Sequence, residues 1–302
     1  MEGEPDGTAR VRRALRIAAA LAGCVAAAPS LAIPFAYDTG SPDGRMAMAS
    51  RPGSGSAVEI EAADDFYTLS TTSITSATFT GLLSGSATGA DITAIVVEIY
   101  RTFPADSTNP PSGNVPTRIG SPGDVADASR DSGSSGLSFS CATLDASFTA
   151  SNSVLDGIHP SPNQRTGGEG AVTGMEIECT VNFATPFLLA ADHYFFVPQV
   201  GLDTGQFFWL SAAASPLASD EQAWMRNANL APDWLRVGTD IVGGSSAPKF
   251  NGAFSLTGEA RTGNSVPEPA TPALLLVAAS AFALSRRRPA ASLATLRGRR
   301  SR

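Results

Sequence analysis

Residues 172–184 read VTGMEIECTVNFA, and their alternation decides the fold class. Counting in twos, Ile177, Cys179, Val181 and Phe183 share one face, which is the period of a half-buried strand. The segment LSFSCATLDASFT (137–149) repeats the pattern with Leu137, Phe139 and Cys141 on one face. Working outward, further strand-like runs are VEIEAADDFYTL (58–69), SITSATFTGLL (73–83), DITAIVVEIYRTF (91–103), HYFFVPQVGL (193–202), QFFWLSA (206–212) and FNGAFSLTGEA (250–260). They are rich in β-branched and aromatic residues and are separated by Gly, Pro, Asp and Ser. Helices do not alternate with them, so the expectation is an all-β body, a single antiparallel β-sandwich or jelly roll over residues 58–260. Leu217–Leu230, with its helix-tolerant DEQAWMRNANL, reads as one short surface helix.

Two stretches of Pro, Gly, Ser and small polar residues, 104–136 and 157–171, interrupt the strands and read as long loops. Residues 33–57 are Gly/Ser-rich in their second half and read as a flexible leader, and 261–265 as a spacer.

The ends have a different character. Arg10, Arg12, Arg13 and Arg16 precede the apolar run IAAALAGCVAAA (17–28), and Ser30-Leu31-Ala32 supplies small residues at the positions a signal peptidase reads. This predicts a signal peptide over 1–32, cut after Ala32. Leu21-Ala22-Gly23-Cys24 also fits a lipoprotein box, which would make Cys24 the lipidated first residue. Both readings export the body.

At the other end, Val266-Pro267-Glu268-Pro269 is followed by the apolar TPALLLVAASAFALS and then by Arg286-Arg287-Arg288. Each Pro fixes its own φ and pushes the preceding residue toward extended geometry, so the Pro-Glu-Pro element reads as an extended signal. The 15 residues Thr271–Ser285 would span about 22 Å as a helix against about 30 Å of hydrocarbon, short for a lasting anchor. The arginines would hold the C-terminus in the cytoplasm. The stretch 266–288 resembles the PEP-CTERM sorting signal of Gram-negative bacteria. That resemblance implies recognition and processing by the membrane enzyme exosortase, in cells that often secrete exopolysaccharide. It also implies passage through the Sec export machinery and a transient stay in the inner membrane, before the protein reaches the cell surface or extracellular matrix. One departure is the tail 289–302, which continues past the basic residues and adds cytoplasmic positive charge.

The formal charge of −7 understates the acidity of the body. Of 21 Lys and Arg, four precede Ile33 and seven follow Ser285, leaving 10; of 28 Asp and Glu, three precede Ile33 and one is Glu268, leaving 24. A body this acidic argues against nucleic acid as a partner.

In an oxidising compartment Cys141 and Cys179 are candidates for a disulfide, with two buried free thiols as the other reading. Catalytic signals are scarce. His159 precedes Pro160 and His193 opens a strand, and no nucleophile elbow, phosphate-cradling glycine motif or zinc-helix motif is present. The expectation is a non-enzymatic structural or interaction protein without a cofactor. Glu59, Glu61 and Asp65 fall on one face of the first strand and could hold a structural Ca²⁺; a charged outer face of an edge strand is the plainer reading. Trp224 and Trp234, in polar surroundings, are candidate rings for stacking sugars of an extracellular polysaccharide, with packing in the core as the other reading.

Overall fold

The alternating stretch 172–184 lies within an 18-residue strand, Val172–Leu189. The computed structural model describes residues 32–55, 57–105, 119–155, 165–213, 222–227, 234–243 and 249–261. In chain order the strands are β1 (Ala32–Asp38), β2 (Pro42–Ala49), β3 (Ile60–Thr68), β4 (Thr72–Ser84), β5 (Ile92–Arg101), β6 (Ala128–Asp131), β7 (Leu137–Ala150) and β8 (Ser153–Val154). They continue with β9 (Val172–Leu189), β10 (Asp192–Leu202), β11 (Gln206–Ala212), β12 (Trp224–Asn227), β13 (Leu235–Arg236), β14 (Asn251–Gly252) and β15 (Phe254–Arg261). Leu31–Gly263 forms one compact unit.

Apart from short helical turns at Gly89–Asp91 and Val237–Val242, the described residues build an all-β fold in two sheets. The larger is built on β4. One edge of β4 pairs with β9 from Thr72 to Ser84. The other edge is shared end to end by β15, opposite Thr72–Phe79, and β11, opposite Gly81–Ser84. β1 extends the sheet beyond β15, β2 and then β8 extend it beyond β11, and β7 lies outside β9. The smaller sheet has the order β13-β12-β3-β10-β5-β6. Pairing is antiparallel except between β2 and β8.

Side chains of the two sheets meet in one apolar cluster. Phe196 of β10 stacks on Phe254 of β15 with centroids 5.0 Å apart, and Trp209 of β11 meets Phe196 edge-on at 6.0 Å. Such offset and edge contacts are the favourable arrangements of aromatic quadrupoles. Trp209 needs space that only glycine leaves: a Cβ on Gly252 would collide with its indole ring.

Three expectations are corrected. Residues 33–57 are not a leader, since 32–38 and 42–49 are β1 and β2, with Met46 and Met48 wholly buried. Part of the small-residue composition there belongs to the turn between them, where Gly40 has φ +89°. The expected helix at 217–230 is overturned by strand β12 at Trp224–Asn227. Trp224 and Met225 are both buried, but in different apolar clusters; successive side chains of a strand go to opposite faces, which a helix cannot reproduce. The loop 104–136 contains strand β6, paired with β5.

Candidate functional site

At its centre, along β3 and β10, the smaller sheet is buried on both faces, and the second face carries the polar chemistry. Along β10, Tyr194, Phe196 and Val200 join the main core, whereas Phe195 and Val197 join a separate cluster with Ala63, Tyr100, Trp224 and Trp234. The chain at 123–126 covers this outer cluster: Trp234 Nε1 donates to Gly123 O at 3.0 Å, Arg226 Nη1 donates to Asp124 O at 3.1 Å, and Ala126 packs against it.

A charged network sits inside this apolar surround. Alternation on β3 aims Glu61 to the same side as Ala63 and Asp65, and neighbouring β12 supplies Arg226 opposite Glu61 in the ladder. The Arg226 guanidinium donates twice to the Glu61 carboxylate, through Nε to Oε2 and through Nη2 to Oε1, and once to Tyr100 Oη at 2.9 Å. Its Cζ also lies 4.5 Å from the Trp234 ring centroid, a cation–π contact strengthened by exclusion of water. The Tyr100 hydroxyl lies 2.6 Å from Glu61 Oε1 and 3.0 Å from Glu98 Oε2.

Burial, and then the Glu61 charge, push the Glu98 carboxyl up to about 7, against the Tyr100 hydrogen bond. The Tyr100 hydroxyl is raised by burial and by Glu61. For Arg226 burial works against the charged form, but Glu61, with Tyr100 and Glu98, more than offsets it and the guanidinium is held above its ordinary value. The cluster is thus a buried ion pair with a second carboxyl that takes a proton near neutrality. Its satisfied geometry fixes β12 and β5 against β3, as paired and hydrogen-bonded buried charges must be.

A cleft of about 220 Å³ opens elsewhere on this face, lined by β3, β10, Gln222 and Ile119. His193 Nε2 donates to Asp65 Oδ2 at 2.8 Å, and Asp65 Oδ1 accepts the Gln222 backbone N–H at 3.2 Å. The Tyr67 ring stacks on the His193 ring with centroids 4.2 Å apart and planes 19° from parallel. Arg236, also lining the cleft, is tied to Asp240 through Nε at 3.0 Å and Nη2 at 3.2 Å.

These placements correct two site expectations. Glu59, Glu61 and Asp65 do not converge on a cation. Glu59 Oε1 accepts from Gln199 Nε2 at 3.1 Å, Glu61 holds Arg226, and Asp65 holds His193. A step of four residues along the strand sets Glu61 and Asp65 about 13 Å apart. Among the described residues no group of three His, Cys, Asp or Glu side chains is placed to hold a metal ion. Nor does β3 form an edge, since it lies between β12 and β10. Trp224 and Trp234 are only 5% and 3% exposed, so neither presents an open face to a polysaccharide chain.

The disulfide expectation is met: Cys141 of β7 and Cys179 of β9 are bonded. Ala32 opens β1, exposed and opposite Arg261 of β15. Val266, Pro267, Glu268, Pro269, Arg286, Arg287 and Arg288 lie outside the described residues, as do His159, Cys24 and the apolar run Thr271–Ser285. Among the described residues no helix is long and apolar enough to cross a membrane.

Tyr67, Glu98, Tyr100, Gln222, Arg226 and Arg236 did not emerge from the sequence. Part of their signal was present: extending the count in twos along β3 places Tyr67 with Glu61 and Asp65, and along β5 places Glu98 with Tyr100. Arg226 was hidden by the helical reading of its segment.

What the fold and this face define is an all-β, disulfide-bonded body with a buried ionic network. No protein-family model, curated protein or solved structure matches the chain.

Proposed function

We propose that this chain is an exported, non-enzymatic protein of the cell surface or extracellular matrix, made of a β-sandwich body between two removable addresses. The first address is the signal peptide, cut after Ala32. The second resembles PEP-CTERM: exosortase reads Val266–Pro269, the apolar run holds the chain briefly in the inner membrane, and Arg286–Arg288 stop it there. The body then works outside the cell through its surface.

The observation that carries this reading is the pairing of Ala32 with Arg261. The first and last strands of the body are paired neighbours, so the chain enters and leaves the body at one end of the same ladder, and the cut after Ala32 takes only its terminal rung, Ala32 opposite Arg261. The bonded cysteines agree with an oxidising compartment, where such bridges persist. The sandwich arrangement is supported by inward rows from both sheets meeting around Phe196, Phe254 and Trp209.

Fractionation of an exosortase-bearing host tests the proposal. The unaltered protein is expected in the surface or medium fraction, and a P267A/E268A/P269A variant in the membrane fraction. Equal distribution of the two forms would contradict it.

A further inference from the structure

We propose that the cleft beside Asp65 and His193 binds one uncharged, hydroxyl-rich ring, a single sugar residue or a compound of that class. Gln222 points to a ligand independently of the cleft's shape. It lines the cleft, is 7% exposed, and its side-chain Oε1 is buried without any hydrogen-bond partner. Leaving such an oxygen unpaired costs about 1–3 kcal/mol, and a ligand hydroxyl would recover part of that. A carboxamide both donates and accepts, which matches a hydroxyl group better than a pure donor or pure acceptor.

The remaining walls narrow the class. Asp65 spends one oxygen on His193 and the other on the Gln222 backbone, and Arg236 spends two nitrogens on Asp240. The cleft's ionic groups thus have partners of their own, so an ionic ligand would compete with bonds already made. Tyr67 supplies an aromatic surface: it is 37% exposed, lines the cleft and is held by its stack on His193. A rigid ring face beside directional hydrogen-bonding groups suits a ring whose faces are C–H and whose rim is O–H. The volume, about 220 Å³, falls below the roughly 300–1,000 Å³ of pockets for drug-sized ligands, which limits the occupant to about one ring.

This inference is independent of the sorting signal, because a chain that is never trimmed would carry the same cleft. Trp224 also lines the cleft, but it is 5% exposed against 37% for Tyr67, so the stacking surface is assigned to Tyr67.

Saturation-transfer NMR on the purified protein tests it, with the methyl glycosides of glucose, galactose and mannose as probes. At least one glycoside is expected to receive saturation. Y67A, at a partly exposed position, and Q222L, which replaces the amide with an apolar group, are each expected to weaken binding about tenfold. The near-ultraviolet circular dichroism of Y67A should match the unaltered protein. No transfer to any of the three glycosides would overturn the proposal. Undiminished binding in a folded Y67A variant would do the same, as would binding of tetramethylammonium or inorganic phosphate in place of the glycosides.

Discussion

Cys141 and Cys179 stand directly opposite one another across the β7–β9 ladder, their Cα atoms 4.1 Å apart and their sulfurs bonded. The bridge ties the 14-residue β7, most of whose residues are exposed, to the long β9 inside the sheet. With a sequence separation of 38, chain-entropy arithmetic gives a contribution of about 4 kcal/mol. A C141A/C179A variant is expected to lose up to that much unfolding free energy, seen as a lower urea midpoint. Amide exchange should accelerate first in Leu137–Ala150, and unchanged protection there would refute the assignment of the bridge to β7 retention.

Arg226 is the cation on which the outer cluster depends. Removing it leaves the Glu61 carboxylate, 4% exposed, without its charge partner. Breaking a buried pair from one side typically costs about 3–5 kcal/mol. R226A is expected to lose stability in that range, while R226M with E61L should recover much of it by filling the space with apolar atoms. Denaturant titrations of the three forms, giving the coupling between the two positions, are the check.

Glu98 gives stability a pH dependence whose sign is fixed by its environment. Its ordinary value of 4.5 is raised to about 7 in the folded protein, chiefly by burial and then by Glu61. Below the ordinary value both folded and unfolded chains hold the proton, and the contribution is complete. As pH rises, the unfolded chain ionises first, so stability falls until the folded group ionises near 7 and then levels off. Asp192 acts at the acid end, where the His193 backbone N–H, and then Arg101, hold its carboxyl below the ordinary 3.8. Its contribution is present above that value and is lost as pH falls through the folded value. Urea midpoints are therefore expected to peak on the acid side of neutrality. E98Q, which keeps the neutral form, should flatten the decline and exceed the unaltered protein at about pH 8.

Gly252 makes room for Trp209, whose Nε1 donates to Ala253 O at 3.0 Å. A methyl group there must displace a fully buried indole or the backbone of β14. G252A is expected to cost about 1–3 kcal/mol by overpacking, with a shifted tryptophan emission maximum as the sign that Trp209 has moved.

The all-β class was legible because strands such as β9 and β5 place apolar residues at every second position. Alternation of that kind comes from the geometry of one strand and needs no knowledge of its neighbours. The outer face of the smaller sheet was not legible for the opposite reason. Trp224 looks exposed beside Asp220, Glu221 and Arg226 in the sequence, yet it is buried because β12 joins β3 and Phe195 lies beneath. Glu61 resembled a solvated or metal-binding carboxylate until Arg226, 165 residues away, was brought onto it. The strands β1 and β2 were missed because turn glycines masked a short buried run, Met46–Ala49. Composition averages over neighbours in the chain, whereas burial depends on neighbours in space.

Whether both addresses are removed is read from the intact mass of the surface-localised protein. The expected chain begins at Ile33 and lacks everything after Pro269, with two hydrogens missing for the Cys141–Cys179 bridge. A full-length mass from Met1 to Arg302, recovered from the cytoplasm with both thiols free to alkylate, would contradict it.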